Sequence, residues 1–436
     1  MSKSFRCRLL ALCWCAFTTA ALASPQPDDR LDGVLSVQHP LSASELHRQP
    51  RITPLPFDKP TFTYLRCHYR QSNDPNHPES AYLWARDPAS GDYFRLQGVW
   101  RAGGILPWRS MFYSDATQAS LREVCRQTLR DQAGGREPVM VSAANNALSY
   151  NHTIWSLASI DPSAGLERLI AFGDSLSDTQ NMYAMSQWRL PQNQTWFLGR
   201  FSNDRVWVER LAERLSLPHY NWAIGGAAGD RKVVLPGLRQ QVASWQEYAR
   251  ADPAYRPERS LFTLWIGGND LINYGRTPEQ VIGDLDSALS QLIAQGARHL
   301  LVLNLPDLAQ TPLARAGNQS QQLGRQVDTF NRLLAALLET LRQRHGSSLQ
   351  LHLFDAHALF DDVIARPQQY QVENVRDNCL AIQPDSKLPY FGHYTPSPAC
   401  RNADRYLFWD PLHPTAHTHQ VLADRVAALL QAATRS

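Results

Sequence analysis

Beyond its first two dozen residues the chain has no apolar run long enough to cross a bilayer, no surplus of either charge and only four cysteines. The first lack excludes a later helical membrane span. The second removes any electrostatic case for nucleic acid. Once Lys3, Arg6 and Arg8 of the leader are set aside, the 43 Lys and Arg fall level with the 40 Asp and Glu. The motifs His-Glu-x-x-His and Gly-x-Ser-x-Gly are absent too. Neither a zinc-protease helix nor the elbow of the classical α/β-hydrolase therefore has its sequence mark.

What is present begins with "MSKSFRCRLLALCWCAFTTAALAS". Three basic residues precede an apolar run from Leu9 to about Ala20, and Ala21-Leu22-Ala23 supplies a small-x-small cleavage site. Residues 1–23 are expected to be a signal peptide. The run is short for a permanent anchor, and Leu12 before Cys13 is large for a lipidation site. The mature chain is then exported and soluble. Cys67, Cys125, Cys379 and Cys400 remain, an even set in an oxidising compartment. Their spacing favours two local disulfides, Cys67–Cys125 and Cys379–Cys400, over cross-pairing, with four free buried thiols as the plain alternative.

Residues 24–58 carry six prolines and read as an extended or poorly ordered lead-in. From there to about 155, runs such as "TFTYLRCHYR", "AYLWARDP" and "DYFRLQGVWR" are split by Asp, Pro, Gly and Asn. They predict a small domain, 59–155, of antiparallel strands, with one helix at 120–132. Residues 165–436 change texture. Short apolar runs at 168–173, 219–225, 261–267, 299–307 and 349–357 alternate with helical stretches, among them 277–296, 319–344 and 415–434. Five near-continuous apolar strands with helical crossovers predict an α/β domain with a five-stranded parallel sheet. In such sheets the chemistry lies beyond the carboxyl ends of the strands.

Four stretches fall there. "FGDSLSDTQN" holds Ser175 in a turn after the first strand, its N–H near a helix N-terminus; the plain alternative is a helix cap. "NWAIGGAAG" offers bare glycine N–H groups, or merely a loop. "WIGGND" places Asn269 where its amide can face a developing oxyanion, or cap a turn. "DPLHPTAHTH" sets Asp410 three residues before His413 in a turn held by two prolines, with Pro414 expected as the first residue of the last helix. A carboxylate so placed can orient an imidazole as general base. Each piece is weak alone. Together on one sheet edge they point to nucleophilic acyl chemistry.

These four blocks, in this order, resemble those of the GDSL or SGNH hydrolases. "FTYLRCHYR", "SYNHTIWS", "WFLGRFSN" and "FWDPLHPT" extend the resemblance to the secreted thermolabile hemolysins, lecithin-dependent lipases that carry a small domain ahead of the hydrolase. The resemblance implies a flavodoxin-like SGNH hydrolase domain behind a β-rich one. It implies Ser175 as nucleophile, His413 as base oriented by Asp410, and an oxyanion hole of Ser175, Gly226 and Asn269, with Gly226 chosen over Gly225 by its place in the block. It further implies a secreted phospholipase A or lysophospholipase, reaching the extracellular space through the periplasm, with acyl transfer to an alcohol as a second outcome. No cofactor and no metal is needed. The expected partners are a phospholipid or other acyl ester and, peripherally, membrane lipids. One departure is Gln180, where the family usually has Gly.

Three other readings compete. A short-chain or carbohydrate esterase would use the same residues. A metal site could use His413 and His417, one helical turn apart, but His419 would lie about 200° around the helix from His417. An adhesin or lectin-like module would leave the catalytic positions idle. Trp188, Trp196, Phe197, Trp222, Trp265 and Trp409 flank the blocks and fit an apolar groove or a membrane contact, with half of them expected in the core.

Overall fold

The computed structural model describes residues 60–101, 109–158, 165–317, 320–383, 386 and 389–433. The expected signal peptide and the lead-in lie outside them. Among the described residues no helix is long and apolar enough to cross a membrane.

The N-terminal sheet is built around β1 (Pro60–Arg70), which pairs antiparallel with β2 (Ser80–Trp84), β3 (Leu96–Arg101) and, further on, β5 (Met140–Ala144). β4 (Met111–Ser114) continues the sheet beside β3 and pairs with β6 (Thr153–Ser156). That last pair is parallel, against the expectation of a purely antiparallel domain. The reason is topological. Helix α1 (Gln118–Gln132) and β5 intervene, so the chain crosses over before it returns beside β4. Alternation on β1 turns Leu65 and Cys67 inward against Leu121, Cys125 and Leu129 of α1, and the Cys67–Cys125 disulfide joins the two elements.

The second sheet has the order β11-β10-β9-β7-β8 and is parallel throughout: β7 (Arg168–Gly173), β8 (His219–Asn221), β9 (Ser260–Trp265), β10 (His299–Leu303) and β11 (Gln350–Phe354). Its apolar runs are buried because both faces are covered. Ile170, Phe172, Phe262 and Leu264 pack one way, against α4 (Leu238–Ala249), α6 (Pro278–Ala294) and α7 (Ser320–His345). Leu169, Ala171, Leu261 and Leu301 pack the other way, against α3 (Trp207–Arg214), α8 (Ala356–Ala365) and α9 (Ala416–Ala433). β8 ends at Asn221 rather than reaching 225, because the Asn221 carboxamide takes the Ala223 N–H at 2.7 Å and turns the chain. Between β8 and β10 stands the short α5 (Gly268–Ile272), and before β8 the short α2 (Asn181–Met185).

A two-stranded parallel sheet, β12 (Asn374–Asn378) with β13 (Tyr406–Phe408), carries the C-terminal block, and the Cys379–Cys400 disulfide closes the segment between them. Pro414 is not in α9, contrary to expectation. It bridges back to Phe408, and Thr415 Oγ1 accepts the Thr418 N–H at 3.3 Å, so the helix starts at Ala416.

The two sheets share one core. Met111, Tyr113 and Trp155 from the N-terminal strands sit among Trp222, Trp245 and Tyr248. The Trp155 indole N–H donates to Asp252 at 2.9 Å, the Tyr113 hydroxyl to the Tyr248 carbonyl at 3.0 Å, and Arg168 binds both Asp252 and the Ser156 carbonyl.

Candidate active site

β7 ends at Gly173, where φ is +151° and a Cβ would lie 2.4 Å from the Trp265 carbonyl oxygen, so only glycine fits. The next carbonyl, of Asp174, accepts N–H groups from Ser177 and Asp178, and this closed turn lifts Ser175 off the strand. The expected helix N-terminus at Ser175 is not there. α2 begins only at Asn181, after the turn has been spent on hydrogen bonds within residues 174–178.

Asp178, which the sequence did not single out, ties two blocks together. Its buried carboxylate accepts the N–H groups of Asn181 at 2.6 Å, Met182 at 2.9 Å and Gly225 at 2.7 Å. The Gly225 N–H is therefore taken. Gly226, at φ +77°, carries the next N–H, and among the described residues neither it nor the Ser175 N–H has an acceptor. Gln180 sits at φ +107°, a conformation that suits glycine, with its Nε2 buried and without a partner among the described residues.

Asn269 lies in the first turn of α5. Its Nδ2 donates to the Ala227 carbonyl at 3.1 Å and its Oδ1 accepts from Asn273 at 2.8 Å, which fixes the amide while leaving one N–H to give. Next to it, the buried Asp270 accepts the Gly229 N–H and binds Arg276 at 2.7 Å, holding the glycine segment to α5.

His413 and Asp410 follow β13. The Asp410 carboxylate accepts the N–H groups of Leu412 and His413, both at 2.8 Å, and the Trp196 indole N–H at 2.9 Å. His413 Nδ1 is 2.8 Å from Asp410 Oδ2, and Nε2 is 2.8 Å from Ser175 Oγ. With Nδ1–H given to the carboxylate, Nε2 presents its lone pair to the serine hydroxyl. Phe201 packs on the imidazole at 5.0 Å between centroids and Tyr390 at 5.6 Å, so the ring has little room to turn. All three side chains are buried.

The sequence-singled Ser175, Asp410, His413, Gly226 and Asn269 thus come together. Leu176, Ile272, Leu308, Phe360, Ile364 and Leu412 line an apolar cleft that opens on Ser175, Asn269 and His413. The other histidines are engaged elsewhere. His417 Nε2 donates to the Tyr370 carbonyl at 2.7 Å, and buried His419 accepts the Trp207 N–H through Nδ1 at 3.3 Å. His419 is thus part of the core. Five of the six flanking aromatics are buried rather than half; only Trp188 is partly open.

Burial pushes the Asp174 carboxyl, beside the serine, up to about 7, and that of Asp178 up to about 6. Both lie above the unfolded value, so the native state keeps these protons longer. Their stabilisation is present below about pH 4 and is lost as pH rises through 6 to 7. Asp174→Asn, neutral throughout, is expected to flatten the fall of Tm between about pH 4 and 7. A slope like that of the unaltered protein would place the effect on other groups.

The family model described as GDSL-like lipase/acylhydrolase matches residues 169–426, and one described as the N-terminal domain of Vibrio dual lipase/transferase matches residues 36–157. The thermolabile hemolysin of Vibrio parahaemolyticus is 36% identical over 373 residues, covering 84% of this chain and 87% of its own. The phosphatidylcholine-sterol acyltransferase of Aeromonas hydrophila is 28% identical over 317 residues, covering 62% of this chain and 92% of its own.

Proposed function

The chain belongs to the GDSL-like lipases and acylhydrolases, and from that premise we propose that it is a secreted serine hydrolase of phospholipid acyl esters, a phospholipase A or lysophospholipase. Residues 59–155 form its accessory unit and 165–436 its hydrolase unit, behind a signal peptide of residues 1–23. The two disulfides favour folding outside the cytoplasm.

The observation that carries this reading is the hydrogen-bonded line from Ser175 through His413 to Asp410 at the mouth of an apolar cleft. Ser175 Oγ attacks the ester carbonyl while His413 Nε2 takes its proton. The carbonyl becomes an oxyanion facing the N–H groups of Ser175 and Gly226 and the amide of Asn269, each such donor worth roughly 2.7 to 4 kcal/mol of barrier. His413 then protonates the departing alcohol, and the acyl-serine remains. Water, activated by the same imidazole, releases the fatty acid; an alcohol in its place receives the acyl group. The cleft, lined by Leu308, Phe360 and Ile364, suits an acyl chain better than a sugar. The names of both relatives, a hemolysin and a phosphatidylcholine acyltransferase, agree with a lipid substrate.

The test compares fatty-acid release from phosphatidylcholine, lysophosphatidylcholine and a short soluble ester, with Ser175→Ala as control. Release from the two lipids that vanishes in the variant is expected. Cleavage of the short ester alone would replace the phospholipase with a short-chain or carbohydrate esterase.

A further inference from the structure

Four large hydrophobic side chains stand out as exposed: Leu148 at 64%, Val233 at 68%, Val234 at 42% and Phe391 at 45%. Three of the four belong to segments that touch the candidate site. Lys232 and Leu235 exchange backbone hydrogen bonds at 3.0 and 2.8 Å, so Val233 and Val234 are the tip of a two-residue turn. The base of that turn rests on the glycine block, because a methyl placed on Gly226 would meet Leu235 at 3.2 Å. Phe391 follows Tyr390, whose ring packs on His413. Apolar points thus stand on the oxyanion side and on the histidine side of one site.

The turn is built against its own stability. Such tips take Gly, Asn or Asp, because the first position needs positive φ. Here that position is Val233, at φ +54°, and a β-branched residue there is strained. Neither valine is buried in return. The sequence adds charge of one sign. Arg231 is exposed and has no ion pair among the described residues, and Lys232 lies over the Tyr274 ring at 5.6 Å. Asp230 is already answered by Gln240 at 2.9 Å and Arg239 at 3.9 Å. Two valines on a cationic turn match a surface that is apolar below and anionic above. The aromatics that the sequence offered for this contact are mostly buried and cannot reach it.

We propose that the site mouth is a docking face for an anionic phospholipid bilayer, with Val233, Val234 and Phe391 entering the acyl boundary and Arg231 and Lys232 meeting the headgroups. The proposal rests on the phospholipase reading for its purpose but not for its measurement. Vesicle partition is read with Ser175→Ala protein, which turns nothing over, on phosphatidylcholine vesicles with and without phosphatidylglycerol. Replacing Val233, Val234 and Phe391 together by serine is expected to lower partition roughly tenfold on both. Arg231→Gln with Lys232→Gln is expected to lose roughly tenfold only where phosphatidylglycerol is present. In the active enzyme the apolar triple should lose vesicle-lipid hydrolysis to the same extent and keep turnover of a soluble short ester. Unchanged partition of the triple, or an equal fall on the soluble ester, would overturn the docking face. Partition lost as expected in a protein that cleaves no phospholipid would keep the docking face and remove the phospholipase.

Discussion

His413→Ala is expected to lower ester turnover by roughly 10⁴-fold or more at unchanged fold, because a nucleophile without its base keeps only the contribution of binding and of the oxyanion donors. The neighbouring His419→Ala should behave in the opposite way. Its ring is buried, and its Nδ1 is the acceptor for the Trp207 N–H at the start of α3. Removing it leaves a buried donor unpaired, at about 1 to 3 kcal/mol of stability. It touches none of the reacting groups. Turnover per folded molecule, counted by titration with a fluorophosphonate, should therefore be nearly unaffected, while Tm falls. If His413→Ala kept its turnover, the line to Ser175 would be structural and the assignment of the base would fail.

Trp155→Ala is the substitution expected to cost most in stability, about 3 to 5 kcal/mol. Its indole is buried where the N-terminal sheet enters the shared core, among Tyr113, Tyr220, Trp222 and Tyr255, with Arg168 over its face at 4.5 Å and Asp252 on its N–H. The change empties a large volume and leaves the carboxylate of Asp252 one donor short. Urea unfolding should show a lower midpoint and one shared transition in the unaltered protein. A midpoint that stayed in place would mean that the two sheets hold each other only loosely.

Much of this was legible in the residues. The five strands announce themselves because a parallel sheet covered on both faces needs apolar side chains at consecutive positions, as in "RLIAFG". That Ser175, Gly226, Asn269 and His413 would meet at one sheet edge was legible because each follows a recognisable strand or block. The ties made by Asp178 and Asp270 were not, nor was the bond of Trp196, noted only as a flanking aromatic, to Asp410. Each acts through a partner far along the chain, Trp196 on Asp410 across 214 residues, and no local pattern marks such a meeting. Burial of aromatics was equally silent, since Trp222 and Trp188 look alike until the core closes on one of them. Gln180 shows the reverse case. The resemblance leads one to expect glycine there, and at φ +107° glutamine is strained where glycine would not be.

The separation of Ser175 from His413 along the chain, 238 residues, has a consequence in time. Synthesis runs from the N-terminus. A nascent chain can complete the serine turn, the glycine turn and α5 while the segment that bears His413 is still inside the ribosome. On the proposed assignment such a chain has a nucleophile and oxyanion donors but nothing to take the proton. An enzyme so built would then stay silent until the segment around His413 has emerged and folded onto Ser175.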